Sequence, residues 1–178
     1  TLSTSTGQDF LGVGNGLPGF SVQYIPPDTN GAAGGKQFVQ WVNASFAAFN
    51  KSDGSVTYAP AAGNTLWSGM SGTAGRACAQ NNSGDPIAQY DKQAGRWVMM
   101  QPIFSSPYAI CVAVSTSSTW TSSGIGWYRY VFSVPNATTN FPDYPKLAVW
   151  PDGYYLSYNS FRNGASWAGP QACAMDRA

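Results

Sequence analysis

The chain reads as an all-β domain of about three four-stranded, propeller-like blades, the last of them incomplete. Three observations carry that expectation. Asp28, Asp85 and Asp143 open turn-rich segments at intervals of 57 and 58 residues. About ten to twelve residues after each Asp comes a β-type run, as in Phe38-Val39-Gln40-Trp41-Val42-Asn43, Trp97-Val98-Met99-Met100-Gln101 and Tyr154-Tyr155-Leu156-Ser157-Tyr158-Asn159. Composition agrees: Gly, Ser, Thr, Asn, Val and Tyr dominate, aromatics make up 15%, charged residues only 10%, and there is no Glu. Those residues build strands and turns rather than long helices. A β-sandwich is the alternative, since many short strands with turn signals fit either architecture.

Residues 1–27 are polar and Gly-rich and read as an extended leader, with one candidate strand at 20–25. Thr1 is compatible with a processed end. The glycines at 12, 14 and 16 resemble a dinucleotide loop only weakly, because no strand precedes them and no helix follows. The first unit spans 28–84, with strands at 38–43, 45–49 and 55–58. Its hairpin signal is Asp53-Gly54. Residues 59–84 read as a long loop holding Leu66, Trp67 and Cys78. The second unit spans 85–142, with strands at 87–90, 96–104, 108–115 and 127–134. The last of these alternates, Tyr128, Tyr130 and Phe132 opposing Trp127, Arg129, Val131 and Ser133. The third unit, 143–178, offers strands at 146–150, 154–159 and 171–175 and is short of an outermost strand. Three blades cannot close a ring, so the reading implies further blades from additional chain or another subunit.

The same residues exclude several functions. A net charge of +1 makes no electrostatic case for nucleic acid. No stretch of 18 apolar residues is present to span a bilayer. With no His, an imidazole base cannot come from this chain, and without Glu any carboxylate chemistry falls to eight Asp. Cys78 and Cys111 are either a disulfide, the preferred reading, or two buried thiols. Cys173 is then left over, and no spacing suits zinc. The low charge and Ser/Thr/Asn-rich composition fit a secreted protein.

Several motifs resemble a known group. They are Pro26-Pro27-Asp28-Thr29-Asn30-Gly31-Ala32, Gly84-Asp85-Pro86-Ile87-Ala88-Gln89-Tyr90-Asp91, Arg96-Trp97-Val98, Cys111-Val112-Ala113-Val114-Ser115 and Asp143-Tyr144-Pro145-Lys146. The chain is similar, over roughly residues 9–178, to large secreted bacterial proteins with a predicted β-propeller and no transferable activity. The resemblance implies more chain beyond Arg177-Ala178 and, with it, a partner for Cys173.

Two sets of candidate site residues follow. Asp28, Asp85 and Asp143 would meet near a propeller axis. There they would either cap their own turns, coordinate calcium, or serve as acid, base or nucleophile on a glycosidic bond. Trp67, Trp120 and Trp167 fall in expected loops and are candidate sugar-stacking platforms, whereas Trp41, Trp97 and Trp150 recur at similar places and read as core. The functional expectation is an extracellular, non-catalytic binding or scaffold module, with a glycan as candidate ligand. The alternatives are an Asp-based glycoside hydrolase completed by missing chain, and a structural subunit or cleavage product of a larger extracellular assembly.

Overall fold

The computed structural model describes residues 3, 5 and 7–177. Thr1, read above as a processed end, lies outside the described residues. The chain forms three consecutive antiparallel meanders. The first sheet is β1 (Asn30–Ala33), β2 (Gln37–Val42), β3 (Ser45–Asn50) and β4 (Val56–Ala62), in that order. The second is β5 (Ile87–Asp91), β6 (Arg96–Ile103), β7 (Ala109–Ser115) and β8 (Trp127–Ser133). The third has three strands, β9 (Asn140–Val149), β10 (Gly153–Arg162) and β11 (Ser166–Asp176), with β11 at its edge. The architecture is thus all-β with three sheets, not the two of a sandwich. Trp41, Val98 and Tyr155 lie on β2, β6 and β10, the second strand of each sheet.

Side-chain alternation explains the stacking. Val39, Trp41, Phe46 and Ala48 point from the first sheet onto Trp97, Met99, Cys111 and Ala113 of the second. The other face of the second sheet presents Val98, Met100, Ile110, Val112 and Val114 to Leu147, Tyr154, Leu156 and Met175 of the third. The second sheet is therefore covered on both faces. That is why β6 and β7 read as near-continuous apolar runs instead of alternating ones. The first strands β1, β5 and β9 are neighbours in turn.

Four expectations are corrected. No strand forms at 20–25. The leader instead makes turns, bonded Leu17 N to Gly14 O and Phe20 N to Leu17 O, and lays Phe10, Val13, Leu17 and Phe20 on Phe49 and Ala47 of the first sheet. The segment expected to be an irregular loop at 59–84 contains a 3-10 turn (Gly63–Trp67) and α1 (Gly72–Gln80). Three alanines favour that helix, and the Cys78–Cys111 disulfide ties it to β7. Strand β1 was not anticipated, because Asn30-Gly31-Ala32-Ala33 lacks β-formers. Finally, Trp150 is not core: it sits in the β9–β10 turn and is 66% exposed.

Candidate functional site

The acidic positions are partly brought together. Asp28 and Asp85 each precede the first strand of their sheet by two residues, with φ of 41° and 45°. Such left-handed turns suit Asp, whose short side chain bonds locally. In the third sheet the matching backbone feature, φ of 50°, falls on Tyr144 and not on Asp143. Asp28, Asp85, Tyr144 and Lys146 line one depression of about 420 Å³. Burial pushes the Asp85 carboxyl up, and the charges of Asp28 and Asp143 add to that, against the Tyr144 N–H and Lys146. Asp28 and Asp85 each also have a structural bond. Asp28 Oδ2 accepts from Asn43 Nδ2 at 2.9 Å, and Asp85 Oδ2 accepts from Tyr144 N at 3.3 Å. Among the described residues no group of three or more His, Cys, Asp or Glu side chains is placed to hold a metal ion.

Two of the three candidate stacking tryptophans are core residues. Trp67 is fully buried and donates its Nε1 hydrogen to Val112 O at 3.2 Å. Trp120 is 2% exposed and packs on Phe46, Tyr58 and Trp127. Both fill the space between the first two sheets. They lie in irregular segments, yet long-range packing and not local pattern decides their burial. Trp167 is exposed on the edge strand β11, edge-on to Phe161 at 5.5 Å.

The exposed aromatics gather elsewhere. On β8, Tyr128, Tyr130 and Phe132 are each 40–50% exposed. They pair across with Val114, Val112 and Ile110 of β7, and so share the face that looks toward the third sheet. Tyr130 and Phe132 are near-parallel, with ring centroids 6.3 Å apart, and Arg96 lies 5.5 Å from the Tyr128 ring centre. These rings wall a cleft of about 590 Å³, whose opposite side is Tyr154, Met175 and Arg177. That volume falls in the range of ordinary ligand pockets. The alternating pattern of β8 was visible in the sequence, but nothing there showed that its aromatic face lacks a covering layer.

Arg177, on the cleft wall, pairs with a buried carboxylate behind it. Asp91, fully buried at the end of β5, accepts from Gln93 N and Ala94 N in its own turn and from the Tyr154 hydroxyl at 3.0 Å. Arg177 reaches it with Nε at 2.6 Å and Nη2 at 3.0 Å. Burial alone would raise this carboxyl. The Arg177, Ala94 and Tyr154 donors outweigh burial and hold it at about 2. Burial and the Asp91 carboxylate push the Tyr154 hydroxyl up to about 12, so it stays protonated as a donor. The clasp joins the β5–β6 turn of the second sheet to the end of β11. No spacing signal marks it, since the partners are 86 residues apart.

The expected Cys78–Cys111 disulfide is present, and Cys173 is free and exposed on β11. Among the described residues no helix is long and apolar enough to cross a membrane. No protein-family model, curated protein or solved structure matches the chain.

Proposed function

We propose that the chain is a non-catalytic extracellular binding or scaffold module. In this reading its meanders are successive blades of a propeller-like array, and its binding surface is the cleft beneath β8. One observation carries the reading: three large aromatic side chains in register on one strand face stay 40–50% exposed beside a cleft of about 590 Å³. Contiguous exposed apolar surface of this kind marks interaction sites. The disulfide supports an oxidising, extracellular setting. The hydrolase alternative draws on Asp85, whose raised carboxyl sits with Asp28 in the acidic depression. One experiment separates the two. The purified chain is titrated with soluble xylan, mannan and dextran and with an alternating valine–threonine heptapeptide, while new reducing ends are assayed on the polysaccharides. Binding of at least one probe that Tyr130→Ala weakens at least tenfold, with no turnover, is the expected result. Turnover abolished by Asp85→Asn, or no Tyr130-dependent binding of any probe, overturns it.

A further inference from the structure

Residues 21–27 join two anchored parts of the chain. On one side Phe10, Val13, Leu17 and Phe20 pack on the first sheet, and Val13 N donates to Gln40 Oε1 at 2.6 Å. On the other side Asn43 Nδ2 donates to Pro26 O at 3.0 Å and to Asp28 Oδ2 at 2.9 Å. Between these anchors every residue from 21 to 27 is exposed, and none lies in a helix or strand. Among the described residues, the backbone N–H and C=O groups of residues 21–25 have no hydrogen-bond partner in the protein. Such segments are where folded chains are nicked.

We propose that this segment is an endoproteolytic site. It is cut at Tyr24–Ile25 by an endopeptidase that takes an aromatic side chain in its primary pocket, and the leader stays seated on the first sheet afterwards. The site lies apart from the β8 cleft and does not rest on the binding reading. The cut is a hydrolysis: the hydroxyl of water ends on the Tyr24 carbonyl carbon, the C–N bond breaks, and the freed nitrogen becomes the amine of Ile25. Backbone freedom, not side-chain exposure, selects this bond. An enzyme that binds its substrate as an added strand needs free backbone groups, so a bond inside the protein's own ladder must first open at a free-energy cost. Tyr24 is 52% exposed, but Tyr144, Trp150 and Trp167 are exposed too. Tyr144 N donates to Asp85, Trp150 N donates to Gly153 O, and Trp167 is paired with Phe161 of β10. Tyr128, Tyr130 and Phe132 are paired with β7. Leu11 is exposed, but its neighbours Phe10 and Val13 are docked. The leader's hold does not pass through the cut. Its bond from Val13 to Gln40 and its packing of Phe10 on Phe49, ring centroids 5.6 Å apart, all involve residues before Tyr24 on the leader side.

The test digests the whole chain with α-chymotrypsin and reads intact mass and native gel filtration over time. The expected first products are residues 1–24 and 25–178, formed at least tenfold faster than any other cleavage and eluting together. A Tyr24→Arg variant moves the specificity to trypsin. The parent has no Lys or Arg before Lys36, so trypsin cannot cut its leader. In the variant trypsin is expected to cut first at position 24, and chymotrypsin to cut there at least tenfold more slowly than in the parent. A chymotrypsin cut of the parent that comes first at another bond overturns the site. So does a variant that trypsin cuts first elsewhere, or one that chymotrypsin still cuts at position 24 at the parent's rate. Separation of residues 1–24 from the remainder on native gel filtration overturns the seated leader.

Discussion

Asp91→Asn tests the clasp that holds β11 against the second sheet. The substitution keeps the side chain's shape and one acceptor oxygen, but removes the charge facing Arg177. Asp91 is fully buried, and its carboxyl falls from 3.8 to about 2 in the folded protein. A shift of this size, at about 1.4 kcal/mol per unit, corresponds to about 2 kcal/mol of stability at neutral pH. The sign follows from linkage. A carboxylate whose folded value lies below its unfolded value stabilises the fold above about pH 4. That contribution is lost as pH falls through about 2. Asp91→Asn is therefore expected to melt about 4–8 °C below the parent at pH 7, given about 2–4 °C per kcal/mol for a chain of this size. The gap should hold at pH 5, narrow at pH 3 and nearly vanish near pH 2. Differential scanning calorimetry across that series reads it directly. A gap that is absent at pH 7, or unchanged between pH 7 and pH 2, would refute the charge-based account of the clasp.

Three further outcomes are expected. Reducing Cys78–Cys111, which closes a span of 33 residues, should cost about 3–4 kcal/mol on the loop-entropy relation; an unchanged denaturant midpoint in dithiothreitol would contradict it. Trp120→Ala should cost about 3–5 kcal/mol and Trp150→Ala no more than about 0.5 kcal/mol, a contrast that equilibrium urea unfolding resolves and that equal losses would refute. Burial raises the Asp85 carboxyl in the folded state, so its ionisation opposes folding as pH rises through the window above 3.8; carboxyl NMR titration should find it above that value, and Lys146→Met should move it higher still.

The legible parts of the fold were those whose pattern reports burial directly. β6 and β7 announced themselves as apolar runs because they lie in the middle layer, and β8 by its alternation. Asp53-Gly54 marked a real turn, closed by Gly54 N to Asn50 O at 2.8 Å. The parts that were not legible depend on distant partners. β1 is a strand because β2 pairs with it and β5 abuts it, not because of its own residues. The inserted helix is held by a disulfide to a strand 33 residues away and by Leu66 and Trp67 buried beside it. Local pattern sorts the tryptophans by loop or strand, but burial follows the layers. Trp67 and Trp120 lie between two sheets, whereas Trp150 caps a turn with no layer above it. Period counting placed the third acidic position one residue early, since the left-handed residue there is Tyr144.

The acidic depression and the aromatic cleft therefore carry different weight. The acidic residues at 28 and 85 have a local reason to exist, because each occupies a left-handed turn and bonds a neighbouring polar group. The bonding also runs between sheets. Asn30 Oδ1 accepts from Ala88 N of the second sheet at 2.8 Å, as Asp85 accepts from Tyr144 N of the third. Burial raises the Asp85 carboxyl, the nearby Asp28 and Asp143 charges add to it, and Lys146, 3.1 Å from the Tyr144 ring centre, offsets part of the charge. Turn chemistry and sheet stitching thus give Asp28 and Asp85 a role without a ligand. Cross-strand pairing with Val114, Val112 and Ile110 gives Tyr128, Tyr130 and Phe132 only part of a local cause. Thr would also serve the β7–β8 ladder on a solvated face. Three large rings left uncovered there lose the hydrophobic stabilisation that their burial would bring, about 25 cal/mol per Å² of apolar surface. That stabilisation is recovered only when something is laid over them.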